Sequence, residues 1–139
     1  MSQPLLLDTH ALIWIVLGSP MTRAAADSIV ASGGDRALHV SAATAWELGL
    51  ICRKPSVAKL IGRNPREWFS EAVETTKARL LSLDADLMLE VGELPELTHR
   101  DPTDRMLIAT ARAHDLTLIT RDQAILDYAA LGHVRALGC

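Results

Sequence analysis

The stretch HRDPTDRMLIATARAHDLTLITRD, residues 99–122, decides the fold. Pro102 to His114 reads as a strong helix, with Asp101 placed to cap it and Pro102 in its first turn, where a missing N–H leaves no helical bond unmade. Leu116 to Thr120 then reads as a short buried strand, followed at once by Arg121 and Asp122. The same grammar recurs outward. Leu5-Leu6-Leu7 is a short apolar run ending in Asp8, with a helix from Thr9 to Leu17 stopped by Gly18. Thr22 to Ala31 is a helix closed by Gly33-Gly34, and Ala37 to Val40 is a strand. Ala43 to Arg53 is a helix ended before Pro55, and Pro65 to Ala78 is another, with Asn64 as its cap. Arg79 to Leu83 is a strand before a helix from Ala85 to about Leu94. Gln123 to Leu131 is a helix ended by Gly132, and Val134 to Leu137 is a last short strand. Alternating strands and helices predict an α/β fold with a mainly parallel sheet. The strands are continuously apolar because helices cover both faces.

The chain of 139 residues has room for one domain, taken as 1–139. With 4% aromatics, its core must be aliphatic, drawn from 22 Leu and 20 Ala. A net charge of -3 excludes a global electrostatic pull on nucleic acid and leaves room for a local basic patch. Cys52 and Cys139 fit no metal or redox spacing, which with the absence of a basic, apolar leader predicts a reduced, cytoplasmic chain. The longest unbroken apolar stretch, Ala11 to Leu17, is too short to span a bilayer, so no membrane association is expected.

In a parallel α/β sheet, strand C-termini and helix N-termini share one edge, and ligands bind there. Asp8, Glu47, Asp101, Asp104 and Asp122 all map to that edge. Asp101 reads equally as a helix cap or as a member of the site, and Asp104 and Asp122 could also serve as capping acids. Asp84 and Asp86 lie near the same edge and read as caps. Asp8 is harder to explain structurally, because a carboxylate beside a buried strand is expensive unless compensated. Two unit charges 4 Å apart repel by roughly 4 kcal/mol at an effective dielectric of 20, so such a group needs protons or a cation. An all-oxygen set suits Mg²⁺ or Mn²⁺, which can lower the pKa of water and neutralise a phosphodiester under attack. The five histidines show no zinc spacing and read as polar or structural residues. No phosphate-binding Gly-rich loop or Gly-x-Ser-x-Gly elbow is present.

LLLDTHALIW around Asp8, VSAATAWELGL around Glu47, and residues 99–122 around Asp104 and Asp122 together make the chain resemble the PIN-domain ribonucleases, and among them the VapC toxins of bacterial toxin–antitoxin pairs. The resemblance covers almost the whole chain. It implies a Rossmann-like sheet of about five parallel strands in the order 3-2-1-4-5. It implies a metal-dependent endoribonuclease with an acidic quartet of Asp8, Glu47, Asp104 and Asp122. Asp8 and Asp104 would ligate Mg²⁺ or Mn²⁺ directly, Glu47 and Asp122 would complete or position the shell, and Asp101 is a further candidate. Thr9 and Ser41 would hydrogen-bond the carboxylates. The resemblance also implies a homodimer inhibited by an antitoxin. Many relatives carry an aromatic residue where Thr103 stands here. The implied strand order moves Asp84 and Asp86 away from the site.

Residues 53–66, RKPSVAKLIGRNPR, hold Arg53, Lys54, Lys59, Arg63 and Arg66 and no acid. This stretch reads either as a solvated helix end or as a basic wall that grips RNA phosphates, with Arg100, Arg105 and Arg121 flanking the acids. Two other functions compete. One is a PIN-fold module that binds RNA or a protein without cutting. The other is a phosphatase of the haloacid dehalogenase type with Asp8 as nucleophile, disfavoured because His10 stands where an acid is expected.

Overall fold

The computed structural model describes residues 4–18, 23–33, 38–96 and 99–139. Five strands form one parallel sheet in the order β3-β2-β1-β4-β5: β1 (Leu5–Leu7), β2 (Leu38–Ser41), β3 (Arg79–Leu81), β4 (Thr117–Thr120) and β5 (Arg135–Gly138). This is the order that the family resemblance implies. Central β1 pairs Leu5 with Leu38 on one side and with Thr117 on the other. The pairing runs on past the strand, where the Asp8 N–H donates to the Ile119 carbonyl at 3.1 Å.

The connecting helices are α1 (Thr9–Leu17), α2 (Arg23–Gly33), α3 (Ala42–Ile51), α4 (Pro55–Ile61), α5 (Pro65–Thr76), α6 (Ala85–Gly92), α7 (Pro102–His114) and α8 (Gln123–Ala130). Strand alternation divides the core in two. Leu5, Leu7, Val40 and Ile119 pack with Leu12, Leu48, Ile61 and Trp68 on one face. Leu6 and Leu118 pack with Leu107, Ile108, Ile125 and Tyr128 on the other. Each fully buried Leu or Ile contributes about 1.5–3 kcal/mol, so β1 is held from both sides. Gly18 ends α1 in the left-handed conformation, φ 73°, and its N–H donates to the Ile15 carbonyl.

Helix α4 is a correction to the sequence reading, which left residues 53–64 without a helix of their own. Pro55 ends α3 but also starts α4, because proline is well suited to a first helical turn. Val57 and Ile61, one turn apart, then face the core beside α1 and α5. Gly33-Gly34 and the start of the second predicted strand fall partly outside the described residues. No described helix is long and apolar enough to cross a membrane.

Candidate active site

The acids reach the C-terminal edge of the sheet because four helices begin there, each capped by the residue that ends or follows a strand or loop. Asp8 caps α1, accepting from the Ala11 N–H at 2.7 Å. Ser41 caps α3, accepting from Ala43. Asp101 caps α7 through the Asp104 N–H at 2.9 Å, and Asp122 caps α8 through the Ile125 N–H at 3.1 Å. The N-termini of α1, α7 and α8 thus offer their capping carboxylates both a hydrogen bond and a positive dipole end.

Asp8 is buried, 6% exposed, at the end of the central strand. Burial pushes its carboxyl up, and the nearby charge of Glu47 pushes the same way. The hydroxyl of Thr120 and the N–H of Ala11 oppose this by hydrogen-bonding the ionised form. Thr120 also accepts from the Asp122 N–H at 3.0 Å. One buried hydroxyl therefore joins the two acids across β1 and β4.

Asp104 lies in the first turn of α7, half-buried. Its carboxyl is pushed up to about 7, chiefly by burial and then by the charges of Asp101 and Asp122; hydrogen bonding to His99 works against this. His99 Nε2 lies 2.7 Å from Asp104 Oδ2. Ligand atoms of His99, Asp104 and Asp122 all lie within 4.8 Å of one another. Two carboxylates at this spacing, with repulsion that a cation would relieve, fit a divalent metal, with the His99 imidazole held against one of them. Asp104 and Asp122 would hold it; Asp8 lies beside them, its carboxylate bonded to the Thr120 hydroxyl that also accepts from the Asp122 backbone N–H, with Glu47 within electrostatic reach of Asp8.

The remaining site candidates are placed less uniformly. The Thr9 hydroxyl donates to Thr44 Oγ1 at 3.3 Å, tying α1 to α3 one turn before Glu47. Ser41 is fully buried as a cap. Arg53, Lys54 and Lys59 are exposed, and Arg53 lies in the turn just past the end of α3, the helix that carries Glu47. Arg63 is ion-paired with Glu71 and also donates to the Glu67 carbonyl, so its charge is partly committed to α5. Arg105 donates to the carbonyls of His99 and Val91 at 3.3 and 3.2 Å. Arg121 lies over the Trp14 ring at 3.8 Å. Asp84 caps α6 beside edge strand β3, far across the sheet from β4. The sequence reading missed His99 and Thr120. A zinc-spacing test cannot find a histidine that partners one carboxylate, though its place five residues before Asp104 on the approach to α7 was visible.

A sequence profile of the PIN domain matches residues 5–131. The chain belongs to the PIN domain family. No curated protein matches its sequence significantly. Among solved structures, this PIN domain is similar to a chain of VapBC2 from Rickettsia felis bound to a promoter DNA fragment, at 13% identity and a TM-score of 0.69. That match covers 96% of this chain and 97% of the other. It is similar to a chain of DNA-bound VapBC from Salmonella typhimurium, at 17% identity and TM-score 0.67, covering 98% of both chains. It is also similar to a chain of FitAcB from Neisseria gonorrhoeae, at 24% identity and TM-score 0.59, covering 96% of both. At these identities the likeness is one of fold.

Proposed function

We propose that this PIN domain is a metal-dependent endoribonuclease acting as the toxin of a toxin–antitoxin pair. The observation that carries the reading is the convergence of Asp8, Asp104 and Asp122 at one sheet edge, with Glu47 in electrostatic reach. A buried carboxylate, Asp8, beside the charge of Glu47, and a half-buried one, Asp104, repelled by Asp101 and Asp122, make sense on a fold of this family as ligands for Mg²⁺ or Mn²⁺. When bound, the ion supplies charge neutralisation at the phosphodiester and a lowered pKa for water. The chain's own residues do the rest. Thr120 holds Asp8 and Asp122 in register, Asp104 presents a carboxylate from a rigid helix turn, and Glu47 positions water from α3. Arg53, Lys54 and Lys59 draw in the RNA backbone, with Arg63 contributing what its pair with Glu71 leaves.

Structural neighbours include a chain of a toxin–antitoxin complex from Klebsiella pneumoniae and chains of the VapBC assemblies named above, which supports an antitoxin as the partner. Trp46, Leu50 and Leu60 on α3 and α4 are large and exposed, which supports protein association, with an antitoxin and in a homodimer. The test is incubation of the purified chain with RNA and with a phosphate monoester in Mg²⁺, Mn²⁺, Ca²⁺ or EDTA. RNA cleavage in Mg²⁺ and Mn²⁺, weak cleavage in Ca²⁺ and none in EDTA is the expected result. Binding of RNA without cleavage under any metal would establish the non-catalytic module instead, and cleavage of the monoester alone would establish a phosphatase.

A further inference from the structure

We propose that His99 is a positioning residue for the metal-binding carboxylate of Asp104, an inference that rests on the nuclease reading above. An aspartate carboxylate turns through a broad, roughly two-fold torsion, so its ligand geometry is set by whatever bonds its second oxygen. Here Oδ2 meets His99 Nε2 at 2.7 Å, the length of a charge-assisted bond. A nitrogen that donates this bond has no lone pair for a cation. His99 therefore fixes Oδ2 and leaves Oδ1 of Asp104 as the oxygen to be shared with Asp122.

The backbone that carries His99 is itself held. Arg105, the residue next to Asp104, reaches back to the His99 carbonyl and to the Val91 carbonyl at the end of α6. The Tyr128 hydroxyl donates to the Pro95 carbonyl, and His133 Nε2 meets Glu96 Oε2 at 3.0 Å. The helix turn that carries the acid thus also clamps the backbone that delivers its partner. His99 is three-quarters buried, so its bond to Asp104 is shielded from competing water. Outer partners of this kind typically set metal affinity by 10–100-fold.

The test compares Mn²⁺ affinity, read by water proton relaxation, in the wild type, His99→Ala and His99→Gln, with folding followed by circular dichroism. Nitrogen NMR of the wild-type imidazole, with and without saturating Mg²⁺, runs beside it. His99→Ala should bind Mn²⁺ at least about 10-fold more weakly. His99→Gln, whose amide can donate in place of Nε2, should recover most of the loss. In the wild type, Nε2 should stay protonated when Mg²⁺ is bound. Equal Mn²⁺ affinity in His99→Ala, or loss of the Nε2 proton on adding Mg²⁺, would overturn the positioning role alone. Absence of Mn²⁺ binding by the wild type would bring down the metal-site reading and this inference with it. Should His99→Ala fail to fold, the glutamine variant and the wild-type spectrum still decide.

Discussion

Replacing Asp104 by asparagine should stabilise the metal-free fold at alkaline pH and change it little at acidic pH. The folded-state carboxyl is pushed from 3.8 up to about 7, first by burial and then by Asp101 and Asp122. The folded chain therefore binds the proton more tightly than the unfolded one. Native stability is fullest below about pH 4 and falls as pH rises toward 7, where Asp104 is forced to ionise. At 1.36 kcal/mol per pH unit, a rise of this size has an upper limit of about 4 kcal/mol. Solvent reaches the carboxyl and screens it, so about 2 kcal/mol is the expected size. Asparagine does not ionise and can still accept from His99, so its fold escapes this fall. For a chain of this length, about 2 kcal/mol corresponds to about 6 °C in Tm. In EDTA, the Tm of the variant should exceed that of the wild type by about 6 °C at pH 8 and by about 1 °C or less at pH 3. Titrating groups remote from Asp104 act on both proteins and cancel in the difference. Mg²⁺ should then close the gap by raising the wild type alone. A Tm difference that does not change with pH would refute the reasoning, because it would show that Asp104 carries no strained charge.

Asp8→Asn, Glu47→Gln and Asp122→Asn should each reduce RNA cleavage about 100-fold or more, as should Asp104→Asn, with double variants scarcely worse than singles because the acids act as a unit. Circular dichroism should show all of them folded, and full activity in Asp8→Asn would remove that residue from the site. Thr120→Val deletes the hydroxyl shared by Asp8 and Asp122, and should lower chemical-denaturation stability by about 1–3 kcal/mol and activity with it. An unchanged denaturation midpoint would show the bridge to be energetically idle. Reversing Arg53, Lys54 and Lys59 to Glu should flatten the log–log salt slope of RNA binding by about 2, at about 0.7 per phosphate contact. Arg63→Glu should add little because Arg63 already pairs with Glu71. Fluorescence anisotropy across a salt series reads both.

The sheet and most helices were legible because their marks are local. Leu5-Leu6-Leu7 can only be a strand buried on both faces, and Asp101-Pro102 can hardly be anything but a helix start. Strand order was not local: it came from the family resemblance, and no periodicity in the chain encodes which strand lies beside which. Helix α4 escaped because Pro55 carries two meanings, the end of one helix and the start of the next, and only Val57 and Ile61 mark its core-facing side. The acids were legible as strand-end and helix-start residues. What joins them was not. Thr120 looks like any buried strand threonine until β1 and β4 bring it against Asp8. The pairing of Arg63 with Glu71 crosses a helix start, so the basic run in sequence has less free charge in space.

Crystals soaked in MnCl₂ and examined by anomalous diffraction test the central claim most directly. An anomalous peak is expected within coordination distance of the carboxylates of Asp104 and Asp122, with Asp8 bound to it directly or through one water, and the peak should vanish in Asp104→Asn. Manganese elsewhere on the chain, or the same peak persisting in Asp104→Asn, would contradict the account.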